Sequence, residues 1–227
     1  MRNELIEKFI FDNDKKISDI NLTCSDIILL KEQYYNIYAK KPLVTEAIIY
    51  RWLKSNLNID SDLDISYSEL VLKRETKYPA LHGNQTLDIS LVNGKEILFG
   101  ISIKMSTSTS AYLDGADFLN PFLQEYREFF VKDETEFEVK KAQKKRIGVP
   151  TLLQDMARIQ NVKLKHGNFP TLTIIFAESK KKDSHWITEF EENYFHQYIF
   201  LKDHGEIPLV NVLSNKLSEI SKWFTTK

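Results

Sequence analysis

Asp88 and the triplet Ser102-Ile103-Lys104 lie in two alternating runs on either side of an Asn93-Gly94 turn. A carboxylate and a lysine brought to one sheet face could hold a divalent cation and a phosphate oxygen, and that pair serves hydrolysis of a phosphodiester. Gln85 to Val92 (QTLDISLV) and Glu96 to Met105 (EILFGISIKM) carry Leu87, Ile89, Leu91, Ile97, Phe99, Ile101 and Ile103 at odd positions. Asp88, Ser90, Gly100, Ser102 and Lys104 occupy the even ones, the alternation of strands with one buried face. A plain two-residue Asn-Gly turn would pair odd with even positions and set Asp88 opposite Phe99. One extra residue, as a bulge or an odd-length loop, brings both apolar rows to one face. Asp88, Ser102 and Lys104 then share the other.

The elements that must position these residues follow from periodicity and breakers. Ser25 is the expected cap of a helix carrying Ile27, Ile28, Leu30, Tyr34 and Tyr38, and Pro42 opens a second with Ala47, Ile49, Tyr50 and Leu53. Leu63 to Leu72 reads as the first strand, and the hairpin strands follow a break at Pro79 to Gly83. Residues 106–150 form an excursion with a helix expected from Phe118 to Val131. Thr151 is the expected cap of a helix over Leu152 to Lys165, with Leu152, Leu153, Met156, Ile159 and Val162 on one side and Gly167 at its end. Thr171 to Ala177 is a near-continuous apolar run, the pattern of a buried strand joined by a crossover parallel to an earlier neighbour. Trp186 to Phe200 and Val212 to Phe224 read as two amphipathic helices.

With Asp88 and Lys104 on consecutive strands, the chain resembles the PD-(D/E)XK nuclease superfamily, whose motif is an acid on one strand and an acid-x-Lys triplet on the next. Ser102 departs from the pattern, standing where the family usually has Asp or Glu. The resemblance is to those type II restriction endonucleases with Ser at that place and the second acid about a dozen residues beyond the lysine. Asp117 follows Lys104 after twelve intervening residues, and Asp114 and Glu125 compete for its role. Glu46 matches the acid that the superfamily often draws from the helix before the sheet.

The resemblance implies an α/β (α+β) fold with a restriction-endonuclease-like αβββαβ core and a mixed central sheet. One domain spans residues 1–227, with the core over 43–178 and helical additions at 1–42 and 184–227. It implies a Mg²⁺-dependent endonuclease that cuts double-stranded DNA as a homodimer. Asp88 and Asp117 would ligate the metal, Lys104 would contact the scissile phosphate, Ser102 would bond a metal water or Lys104, and Glu46 would act as an outer ligand. Two other readings stand beside it: a non-catalytic binding protein of the same fold, and a Ser-Lys hydrolase using Ser102 with Lys104 as base.

Composition is compatible with these readings. At 227 residues and 42% hydrophobic, the chain can bury one substantial core. A single cysteine excludes an internal disulfide, and no apolar stretch reaches bilayer length, so a cytoplasmic protein without membrane contact is expected. No Walker loop or GxGxxG occurs, so no nucleotide cofactor is expected, and the five histidines show no zinc spacing. The net charge of −1 leaves nucleic-acid contact to local clusters. Lys140, Lys141, Lys144, Lys145 and Arg146 form the densest one, Lys180, Lys181 and Lys182 a second, and Ser106, Thr107 and Ser108 could donate to phosphates.

Overall fold

In the computed structural model of the chain, residues 12–38, 43–57, 70–81, 83–107, 111–113, 121–129, 135, 139 and 147–218 are described. The helices Cys24–Tyr38 (α1) and Leu43–Asn56 (α2) precede the sheet. The cap of α1 is Thr23 rather than Ser25. Thr23 Oγ1 accepts the Asp26 N–H at 3.1 Å, while Asp26 Oδ2 accepts the Thr23 N–H at 3.1 Å, so two donors at the helix start are satisfied reciprocally.

The strands are Leu70–Pro79 (β1), Asn84–Asn93 (β2), Glu96–Lys104 (β3), Ala111–Leu113 (β4), Ile147–Val149 (β5), Thr171–Ile175 (β6) and His196–Phe200 (β7). A five-stranded mixed sheet has the order β1-β2-β3-β6-β7, antiparallel among its first three strands and parallel from β3 onward. β4 and β5 pair in a small antiparallel ribbon inside the excursion. Between them, Pro121–Glu125 (α3) is followed by a 3-10 turn at Arg127–Phe129, in place of one helix from Phe118 to Val131. The first strand starts its described course at Leu70 and runs on to Pro79, further than the weak alternation of 63–72 reached.

The remaining helices are Thr151–His166 (α4), Ser184–Asn193 (α5), Leu201–His204 (α6) and Leu209–Lys216 (α7). Pro150 stands at the N-cap of α4, so Thr151 is its first residue and no side chain caps it. The stretch 186–200 is not one helix. α5 ends before Phe195, whose φ of 48° turns the chain, and His196–Phe200 becomes the fifth strand. Both faces of that strand are covered, with Tyr198 and Phe200 in one core and Ile199 in the other. A period of two therefore wins there, and the sheet extends past residue 178.

The hairpin contains the expected extra residue. Asn93 pairs with Glu96 across Gly94-Lys95, Val92 pairs with Ile97, and then Leu91 pairs with Phe99, leaving Leu98 as a bulge. Gly94 takes the φ of 58° that the turn requires. The apolar rows nevertheless split. Ile89, Leu91, Phe99, Ile101 and Ile103 pack under α1, α2 and α7, whereas Leu87, Val92 and Ile97 pack with Leu152, Met156 and Ile159 of α4 and Phe190 of α5. Ile97 changes face at the bulge. Leu87 changes face where the β1–β2 ladder skips Glu75, a non-glycine residue with φ 49°. Gly100 makes room for that crossing, since a Cβ there would stand 3.2 Å from Leu87 Cδ1 and 3.1 Å from Phe169 Cε2.

Candidate active site

The β2–β3 ladder ends at Ile89 opposite Ile101, so the next positions, Asp88 and Ser102, adjoin where the two strands part. The Ile103 N–H loses a cross-strand carbonyl there, and Asp88 Oδ2 accepts it at 2.6 Å. This bond aims the carboxylate along the parting. α4 closes the far side, and a cleft of about 260 Å³ is bounded by 84–88 of β2, by Ser102 and Lys104 of β3, and by Asp155, Arg158 and Ile159 of α4.

Lys104 Nζ donates to Asp155 Oδ1 and to Ser102 Oγ, at 2.7 and 2.8 Å. Ser102 Oγ in turn donates to Asp155 Oδ1 at 2.7 Å, and Thr173 Oγ1, opposite Ser102 on β6, donates to Asp155 Oδ2 at 2.8 Å. The buried Asp155 carboxylate thus has a cation and two hydroxyls around it. Burial alone would raise its proton affinity, but the ammonium and the hydroxyls outweigh that and hold it below the ordinary Asp value. Burial likewise opposes the charge on Lys104, and Asp155 and Asp88 overcome it, so the amine stays above its ordinary range. For Asp88 desolvation prevails over Lys104 and the Ile103 N–H, and its carboxyl is raised.

Asp155 explains Ser102. A carboxylate at 102 would face another carboxylate, whereas a hydroxyl there donates to it and accepts from Lys104. The same arrangement counts against a Ser-Lys hydrolase. The serine proton is committed to Asp155, and a lysine held protonated has no lone pair to act as base.

Glu46, in the first turn of α2, is half-buried, and its Oε2 has no hydrogen-bond partner. Burial first, then the charges of Asp88 and Glu75, pushes its carboxyl up to about 7. Glu46, Glu75 and Asp88 therefore share one region of negative potential, although among the described residues no three His, Cys, Asp or Glu side chains are grouped to hold a metal ion.

The other expected site residues divide. Asp114, Asp117, Ser108, Lys140, Lys141, Lys144, Lys145 and Arg146 lie outside the described residues. Glu125 is exposed and accepts the Tyr194 hydroxyl at 2.9 Å in an aromatic cluster with Phe122 and Tyr126, so its carboxylate is engaged there. Thr107 is buried and donates to Asp183, which ties the end of β3 to the Lys181–Asp183 turn instead of leaving a hydroxyl for a ligand. Ser106 is half-buried beside it. Lys181 and Lys182 are exposed and Lys180 is half-exposed on that turn, just beyond β6.

Asp155, Thr173, Glu75 and Arg158 were missed in the sequence. Asp155 did carry a signal, being an acid three residues after Leu152 and four before Ile159 on the apolar stripe of α4. No helix among the described residues is long and apolar enough to cross a membrane. Compared with protein-family models, curated proteins and solved structures, the chain has no match.

Proposed function

We propose that the protein is a Mg²⁺-dependent endonuclease acting on double-stranded DNA, with a restriction-endonuclease-like core of the PD-(D/E)XK kind. The observation that carries this reading is the convergence of Asp88, Lys104 and Asp155 on one cleft where β2 and β3 part. The donor set fits a hard cation. Mg²⁺ takes oxygen ligands and keeps several waters, so one or two carboxylates suffice. Asp88 would hold it, with Asp155 or Glu46 as the second acid, and when bound the ion would supply Lewis-acid stabilisation of the phosphate and an acidified water.

The chain's own residues do the rest. Lys104 uses two of its three donors on Asp155 and Ser102, and the third can meet a non-bridging phosphate oxygen. Asp155 positions that ammonium and keeps it charged. Glu46, with its carboxyl near neutrality, can accept a proton from the attacking water. Arg158, exposed at the rim of the cleft, adds positive charge for a neighbouring phosphate. A homodimer would present two such sites to the two strands.

Digestion of phage DNA with and without Mg²⁺ tests the reading. Discrete fragments that require the ion are expected, and intact DNA under both conditions counts against it. The second reading is a non-catalytic DNA-binding protein of the same fold. What favours it is that Asp155 is already saturated by Lys104, Ser102 and Thr173. Tight DNA binding that is indifferent to Mg²⁺, without cleavage, would select it.

A further inference from the structure

A second cleft, of about 660 Å³, opens between α2 and the edge strand β1, lined by Ala47, Tyr50, Arg51, Lys54, Ser55 and Arg74. Its charged side chains are all cationic and all exposed. Among the described residues Lys54 has no acidic partner, and Arg51 pairs with the half-buried Asp14. The cleft's geometry is held from beneath, because the Tyr50 hydroxyl donates to the Leu72 carbonyl at 3.3 Å and Ser55 bonds Ser18 at 3.1 Å. It also abuts the candidate active site. Ala47 follows Glu46 on α2, Arg74 precedes Glu75 on β1, and the Arg74 charge acts directly on the Glu46 carboxyl.

We infer that this cleft binds the sugar-phosphate backbone of the DNA on the flank of the scissile phosphate, so that the bound strand crosses the β1 edge from the Asp88 cleft to Arg74, Arg51 and Lys54. The inference rests on the nuclease reading and adds a contact surface distinct from the lysine runs at 140–146 and 180–182. Guanidinium and ammonium groups spread along one groove suit a polyanion with repeating phosphates. Such contacts are independent of base sequence and release counterions. Each phosphate neutralised contributes about 0.9 to the slope of log K against log salt.

The test measures binding of a fluorescein-labelled DNA duplex by anisotropy across a salt series, in an Asp88→Asn background to prevent cleavage, together with plasmid cleavage by the Asp88 form. Lys54→Gln/Arg74→Gln is expected to bind roughly tenfold or more weakly at moderate salt, with the slope reduced by about 2. Lys95→Gln, at the exposed hairpin tip, is the control and should leave both unchanged. Arg51→Gln alone, which leaves β1 untouched, should lower the slope by about 1. If the Asp88 form cuts DNA while the double variant keeps the parental affinity and slope, the cleft assignment is overturned and the nuclease reading stands. If the parental protein neither binds nor cuts the duplex, both fall together.

Discussion

Lys104 Nζ and Asp155 Oδ1 stand 2.7 Å apart, on β3 and on the helix that crosses over it. Asp155 is buried and the Lys104 side chain half-buried, and Lys104 is the cation that faces Asp155 while Asp155 and Asp88 are the anions that face Lys104. Removing one partner leaves a charge in a medium that cannot solvate it. Lys104→Ala and Asp155→Ala should therefore each lose about 3–5 kcal/mol in urea denaturation. Lys104→Met/Asp155→Leu should recover most of that loss while remaining unable to cut DNA. Wild-type stability in Asp155→Ala would contradict the pair's structural importance.

Asp88→Asn separates binding from chemistry. The amide oxygen can still accept the Ile103 N–H, so the strand junction survives, but the anionic ligand is gone. Mg²⁺-dependent cleavage should disappear while DNA affinity is kept or rises, because a carboxylate facing phosphate repels it until a cation lies between. Plasmid cleavage and anisotropy on the same preparation decide this.

The second acid can be assigned by exchange. Asp155→Asn should abolish cleavage, Asp117→Ala should leave most of it, and Ser102→Ala should lose part, since the hydroxyl only supports Lys104 and Asp155. Ser102→Asp combined with Asp155→Ser moves the carboxylate to the commoner strand position and should restore some initial rate over Asp155→Asn. An inactive Asp117→Ala with an active Asp155→Asn would reverse the assignment.

Glu46 sets a pH dependence. Its carboxyl is raised in the folded protein to about 7 from an ordinary value of 4.5, so the folded state binds its proton more tightly than the unfolded state does. The corresponding stability is fully present below 4.5 and is lost as the pH rises through 7. Urea midpoints of the parental protein should fall over that window relative to Glu46→Gln. Cleavage should rise over the same window if deprotonated Glu46 takes the water's proton, and an identical pH–rate profile for Glu46→Gln would remove it from that step.

The bulge makes a backbone prediction. Deleting Leu98 joins Ile97 to Phe99 and makes the ladder continuous, with Val92–Ile97, Leu91–Phe99 and Ile89–Ile101 still paired and on their present faces, so Ser102 and Lys104 stay beside Asp88. Such a protein should keep a cooperative melt and its Mg²⁺-dependent cleavage, and loss of the cooperative melt would show that the bulge itself is required. Gly100→Ala, which crowds Leu87 and Phe169, should fold but lose about 1–3 kcal/mol.

The sequence by itself determined that Asp88 and Lys104 meet. Alternation in both strands, an Asn-Gly turn and the mismatch of odd and even rows force an extra residue, and Leu98 supplies it. The parallel strand at 171–175 was equally legible, because five consecutive buried residues need cover on both faces. Only the tertiary structure decided which acid faces Ser102. Asp155 lies 51 residues beyond Lys104, and nothing local requires α4 to cross at the point where its one buried acid meets Ser102, Lys104 and Thr173. The split of the apolar rows at Leu87 and Ile97, and the strand at 196–200, were settled in the same way. Burial on two faces overrides local periodicity, and whether a second face is covered depends on helices far away in the chain.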